Sequence, residues 1–202
     1  MTSNASSSKP KMGVTDDPLV WIDCEMTGLN PDTEEIIEIY CLVTTGSEMK
    51  LLDEEGYHAI VHLPKSRLDQ MDEWCTKTHG ESGLTQAVLQ STTTPQQAAD
   101  GLYDYITRLV PERSKGILAG NSIHADRTFL RKDPYAKALN HLHYRLLDVT
   151  SIKEAARRWA APRVVKKVPN KKGRHKARDD ILESIEEARY YRDTIFSRTL
   201  DG

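Results

Sequence analysis

The chain has 202 residues, enough for one domain of ordinary size, and 38% of them are apolar, enough to build a core. Its formal net charge of −2 excludes a global positive field, so any polyanion must be held by a local patch. No apolar stretch approaches bilayer length, and the cysteines Cys24, Cys41 and Cys75 are odd in number and contain no Cys-x-x-Cys; a zinc knuckle and a disulfide framework are both disfavoured, which fits a reducing, intracellular compartment.

Residues 1–17, rich in Ser, Thr, Asn and Lys, read as a disordered tail without the apolar run of a secretory signal. The absence of Arg there, with Asp16 and Asp17 present, disfavours a typical mitochondrial presequence. A folded domain is expected over 18–197, followed by a short tail over 198–202. Leu19-Val20-Trp21-Ile22 is four large apolar residues in a row and reads as a buried strand. Residues 27–32 are turn-rich, and the β-branched and aromatic run 35–43 predicts a second strand. Tyr57 to His62 predicts a third, so the domain opens on an antiparallel meander.

Thr94-Pro95-Gln96-Gln97 supplies a capping residue, Pro at the first helical position and Gln three residues after the cap, and Ala98, Leu102, Tyr105, Ile106 and Leu109 follow at helical spacing. Ile117 to Asn121 reads as a short buried strand, Ala125 to Leu130 as a helix start, and Tyr144 to Asp148 as a further strand. Ser151-Ile152-Lys153-Glu154 is a second capping-box pattern, opening a helix through Trp159. The last helix is expected from about Arg178 to Phe196. Three strands followed by alternating helices and strands predict a single α/β domain with a mixed sheet. Residues 163–178 hold Arg163, Lys166, Lys167, Lys171, Lys172, Arg174, Lys176 and Arg178 and no acid; they read as a solvated loop or as a phosphate-attracting flap.

The first strand ends in Asp23-Cys24-Glu25. Side chains alternate along a strand, so the two acids share a face. Buried side by side they repel unless a proton or cation lies between them, and an all-oxygen site favours Mg²⁺ or Mn²⁺. Asp-x-Glu alone is more simply read as a solvated strand end, and the rest of the chain has to overturn that reading. Two further acids bear on the choice: Asp126, after the strand at 117–121, and Asp180, five residues after His175. An acid in a helix first turn is often only a partner for the helix dipole.

Taken together, these segments resemble the DEDD exonucleases of the histidine-bearing subclass, and within them the oligoribonuclease family. The resemblance rests on Trp21 to Leu29, Gly120 to Leu130, His143 to Val149 and His175 to Ile181, and it extends from about residue 18 to 197. His124-Ala125 is more similar to the eukaryotic branch than to the bacterial one. The resemblance implies a ribonuclease H-like fold and 3′-to-5′ hydrolysis of very short RNA, dinucleotides above all, to nucleoside 5′-monophosphates. It implies Asp23, Glu25, Asp126 and Asp180 as ligands of two divalent ions, Mg²⁺ or Mn²⁺, and His175 as the group that takes a proton from the attacking water. It implies that Leu29 wedges against the bases, that Trp74 stacks on one, and that His79, Ser122 and Arg145 close on the 5′-phosphate. Thr150 stands where the family often has Ser, and Tyr144 would reach in from the second subunit of a homodimer. A mitochondrial or cytoplasmic location is expected.

Other readings are a trimming or proofreading exonuclease on longer strands, and a non-catalytic RNA-binding module. The four acids are shared with the first; their full retention together with His175 weighs against the second. A zinc site at His141-x-His143, or among His58 and His62, lacks a nearby Cys and has poor spacing.

Overall fold

The computed structural model describes residues 16–169 and 177–196. Its centre is a five-stranded mixed sheet in the order β3-β2-β1-β4-β5. Strands β1 (Leu19–Met26), β2 (Ile36–Thr44) and β3 (Tyr57–Ile60) form the antiparallel meander. Strands β4 (Ile117–Gly120) and β5 (Leu146–Asp148) add parallel to β1 on its other side. β1 is therefore central and covered on both faces, which is why it reads as a continuous apolar run rather than an alternating one.

The helices divide between the two faces. On one, α4 (Pro95–Leu109), α5 (His124–Leu130) and α6 (Ala136–His141) pack over Val20, Ile22 and Cys24. On the other, α7 (Val149–Trp159) and α9 (Ala177–Tyr191) pack over Leu19 and Trp21. The parity of β1 thus decides which helices its acids can meet: Asp23 and Glu25 follow Trp21 at intervals of two and so face the α9 layer. Beside the meander, α1 (Lys65–Leu68), α2 (Glu73–Ser82) and α3 (Leu84–Gln90) enclose a smaller core around Ile37, Leu68, Cys75 and Val88. The short α8 (Pro162–Val165) follows α7, and a π-helical turn, Arg192–Phe196, closes the last helix.

The capping box at Thr94 is formed in full, with Pro at the start of α4. The second box is not. Asp148, the last residue of β5, caps α7 by accepting from Thr150 N at 3.0 Å, so the helix begins before Ser151. Glu154 instead pairs with Arg157 and Arg158. β5 is also shorter than its apolar pattern, because β4 offers it only three pairing positions and Tyr144-Arg145 lies outside them. At the end of the segment read as a tail, Asp16 Oδ1 accepts from Ser47 N and Oγ at 3.0 and 2.8 Å, and Lys115 lies 3.7 Å from Asp17. Residues 1–15, 170–176 and 197–202 lie outside the described residues, and with them His175 and part of the basic segment.

Candidate active site

Carboxylate oxygens of Asp23, Glu25 and Asp180 lie within 4.8 Å of one another. The first two come from the end of β1, and Asp180 from the first turn of α9, the helix that packs over that face of the sheet. Asp126 approaches from the opposite layer. It is buried at the start of α5, and its Oδ1 accepts from Cys24 N at 3.0 Å, between the two acids of β1. It is not part of the three-residue cluster, but its charge acts on Asp23 and Glu25. Glu38 stands opposite Glu25 in the β1–β2 register and is tied to His58 Nε2 at 2.7 Å.

This concentration of negative charge resists ionisation. Asp23 is raised well above the usual carboxylate range, first by loss of hydration and then by Asp126, Glu25, Asp180 and Glu38. Glu25 is pushed up to about 7 by burial and then by Glu38, Asp180 and Asp126. Burial pushes Asp126 up to about 6, against the lowering effect of its bond from Cys24 N. Three convergent carboxylates from rigid elements, two of which, Asp23 and Glu25, are raised by burial and by neighbouring negative charge, are a donor set suited to a hard divalent cation.

The sign of the pH dependence follows. Acids whose folded pKa is raised stabilise the fold below their unfolded pKa, and that contribution is lost as pH rises through the folded value. For Glu25 the window runs from the ordinary glutamate value of 4.5 to about 7. Metal-free protein should therefore lose thermal stability across this window. A bound cation replaces the protons, so the rise in Tm on adding Mg²⁺ or Mn²⁺ should be larger at about pH 8 than at about pH 5.5. A metal-induced rise that shrinks with increasing pH would contradict this arrangement.

The remaining sequence-derived residues fall into groups. Leu29 and Trp74 are 86% and 63% exposed, unusual for large apolar side chains. Ser122 and Thr150 meet: Ser122 N donates to Thr150 Oγ1 at 2.9 Å and to Asp148 Oδ1 at 3.1 Å, and the two hydroxyls are 3.2 Å apart. These bonds hold Ser122 in the left-handed region, at φ 51°. Asn121 Nδ2 donates to Ser184 Oγ at 2.7 Å, and Ser184 Oγ donates to Asp180 O at 2.8 Å. A chain of bonds therefore runs from Ser122 through Thr150 and Asn121 to the helix that carries Asp180. Asn121 and Asp148 follow or end strands within segments that carry the family resemblance, whereas Ser184, in the middle of α9, was marked by no sequence signal.

His79 is buried, and its Nε2 donates to Met26 O at 2.9 Å, which leaves Nδ1 as its second polar atom. Tyr144 is 72% exposed, stacked on His143 at 4.5 Å between ring centroids, with the Arg145 guanidinium 5.4 Å from its own ring. The histidines considered for zinc are dispersed. His141 Nε2 donates to Val110 O, His143 Nδ1 accepts from Arg145 N, and His62 Nδ1 donates to Val88 O. Among the described residues, the grouping suited to a metal is Asp23, Glu25 and Asp180.

The model of the Exonuclease family, RNase_T, matches residues 20–188. The mitochondrial oligoribonuclease of Saccharomyces cerevisiae is 44% identical over 181 residues, spanning 87% of this chain and 66% of that protein. The oligoribonuclease of a Neisseria meningitidis strain is 48% identical over 175 residues, 87% of this chain and 90% of its own. The human mitochondrial oligoribonuclease is 44% identical over 186 residues, 91% and 75% of the two chains. The chain thus spans about two thirds of the yeast relative's length and most of the bacterial one's. Among solved structures, Schizosaccharomyces pombe Pop2p, in a Mg²⁺- and Mn²⁺-bound form, is similar with a TM-score of 0.64 at 14% identity, covering 91% of this chain and 86% of that one. Escherichia coli exonuclease I in complex with a dT13 oligonucleotide has a TM-score of 0.62 at 14% identity, covering 87% and 41%. These two likenesses establish the fold, a ribonuclease H-like mixed sheet flanked by helices.

Proposed function

We propose, from the premise that this chain belongs to the exonuclease family and within it to the oligoribonucleases, that it removes nucleoside 5′-monophosphates from the 3′ end of very short RNA, dinucleotides above all. The observation that carries the hydrolytic part of this reading is the convergence of Asp23, Glu25 and Asp180 at one point of the sheet, with Asp126 held beside them by Cys24 N; the preference for short RNA rests on the likeness to oligoribonucleases. These four residues would hold two divalent ions, Mg²⁺ or Mn²⁺. Such ions supply activation of a water for in-line attack and neutralisation of charge on the leaving oxygen.

The protein's own side chains do the rest. His175, outside the described residues, is assigned the proton of the attacking water; its unperturbed pKa near 6.5 suits that exchange. Leu29 and Trp74, exposed in the free protein, are assigned to the bases, because apolar surface left in water gains from stacking without reading sequence. Ser122, Thr150, Arg145 and His79 are assigned to the 5′-phosphate end. Arg145 is exposed and free to turn toward a phosphate as a fork of donors, while His79 would enter through Nδ1. Tyr144 projects from the surface and is assigned to the site of a second copy, which makes the active species a homodimer. Among the described residues no helix is long and apolar enough to cross a membrane, and the mitochondrial names of the yeast and human relatives support a mitochondrial or cytoplasmic setting.

The test is a hydrolysis series on 5′-phosphorylated oligoribonucleotides from two to about ten nucleotides, with Mg²⁺ and with Mn²⁺. A cleft that grips both ends of a dinucleotide should lose kcat/KM at least ~10-fold by the longest chain, the equivalent of one lost contact of about 1.4 kcal/mol. Equal kcat/KM across the series would favour a trimming exonuclease instead.

A further inference from the structure

Leu29 sits in the loop between β1 and β2, whose inner turn is closed by Thr33 N and Glu34 N donating to Asn30 O, and one side chain from a different layer gathers the two ends of the loop. Arg67 Nη2 donates to Thr27 Oγ1 at 2.9 Å, to Thr33 O at 3.0 Å and to Glu34 Oε2 at 2.8 Å; its Nε donates to Glu35 Oε2 at 2.7 Å. The bonds reach both ends of the loop. Thr27 Oγ1 donates to Glu34 Oε2 at 2.6 Å and accepts from Glu35 N at 3.0 Å, which closes the loop on itself around the guanidinium. The Glu34 side chain is packed against Gly28: a Cβ added there would lie 3.0 Å from Glu34 Cγ and Cδ. Glu34, held by Arg67, therefore fixes the backbone immediately before Leu29. The Arg67 side chain is only 17% exposed, so these charge-assisted bonds are largely sheltered from water. On the far side, Lys132 donates to Asp32 Oδ1 at 2.7 Å and to Pro31 O.

Arg67 is carried by α1, whose Leu68 shares a core with Cys75 of α2. Cys75 is the neighbour of Trp74, and the same α2 supplies His79, whose Nε2 donates to Met26 O at the end of β1. The layer that presents Trp74 is thus joined to the loop that presents Leu29 at two points, the Arg67 guanidinium and the His79 ring.

We propose that Arg67 is a positioning residue that sets the gap between Leu29 and Trp74 and so the affinity for very short substrates. The inference rests on the reading that Leu29 and Trp74 grip the bases. Without the clamp the loop samples other conformations, and apparent affinity falls by the fraction of time the gap is correct. The metals and the proton-transfer group are untouched.

The experiment compares Arg67→Ala, Arg67→Lys, Leu29→Ala and the double variant Leu29→Ala/Arg67→Ala on a 5′-phosphorylated dinucleotide. The expected result for Arg67→Ala is a roughly 10-fold rise in KM, with kcat within about 2-fold and the Mg²⁺-induced rise in Tm unchanged. Arg67→Lys, with a point charge in place of the fork, should recover part of the loss. The double variant should cost no more than about 2-fold beyond Leu29→Ala, because both act on one gap. Where Arg67→Ala fails to fold, Glu34→Gln keeps the shape of its partner and should raise KM in the same direction. If Leu29→Ala raises KM and Arg67→Ala or Glu34→Gln does not, the positioning role is overturned and the base-gripping reading stands. A fall in kcat and in the metal-induced Tm rise at unchanged KM also overturns it. An unchanged KM in Leu29→Ala overturns the base-gripping reading itself, and the positioning role with it.

Discussion

Replacing Asp23 by Asn should lower kcat by at least ~10³-fold while leaving the protein folded and, without metal, more stable. Asn keeps the shape of the side chain and removes one anionic oxygen from a cluster whose three carboxylates lie within 4.8 Å. Losing a ligand from the point where charge develops forfeits the stabilisation of that charge, and ~10³-fold corresponds to about 4 kcal/mol of barrier. The stability effect has the opposite sign because Asp23 is held well above its usual range by burial and by Asp126, Glu25 and Asp180. Asn carries no charge to be repelled. A gain of about 1–2 kcal/mol, or ~2–8 °C in Tm, is expected in chelator-treated protein at about pH 8. It should shrink as pH falls below about 7, where Glu25 takes up a proton and its repulsion of Asp23 is relieved. Full activity in the variant, or a lower metal-free Tm at high pH, would remove Asp23 from the metal site.

Trp74→Ala should raise KM for a dinucleotide by ~5–100-fold with little change in kcat. The indole is 63% exposed on α2 and outside the core formed by its neighbour Cys75, so the fold does not depend on it and Tm should move by no more than ~1–2 °C. Base–aromatic stacking contributes about 1–3 kcal/mol, which sets the size of the effect. The loss should be similar for purine and pyrimidine dinucleotides, since stacking tolerates sequence. A large fall in Tm would show a structural side chain, and an unchanged KM would remove Trp74 from the cleft.

Much of this site was legible from the chain because strands and caps write local rules into it. Four apolar residues ending in Asp23-Cys24-Glu25 specify a buried central strand with two acids on one face, and the Thr94 box formed as its residue types require. The layer α1–α3 left little trace. In α2 only Cys75 and His79 are buried among ten residues, so no apolar stripe marks the helix, although Gly83 at φ 82° ends it as a glycine can. Arg67 gave no signal at all, since its four acceptors lie 32 to 40 residues away in the chain. The Ser151 box failed for a related reason. A capping pattern states what a helix end can use, but Asp148, delivered by the pairing of β5 with β4, was already in place to cap it.

By itself the sequence determined the strand, its parity and the residue types of the site, because backbone alternation and side-chain chemistry are properties of a few neighbouring residues. Only the tertiary structure decided that Asp180 meets Asp23 and Glu25 from the α9 layer while Asp126 enters from the α5 layer. It alone decided that Glu38 stands across from Glu25, and that the loop bearing Leu29 is fastened by Arg67. Those contacts arise from sheet order and from which helix covers which face, and residues 13 to 157 positions apart acquire their electrostatics only when packing removes the water between them.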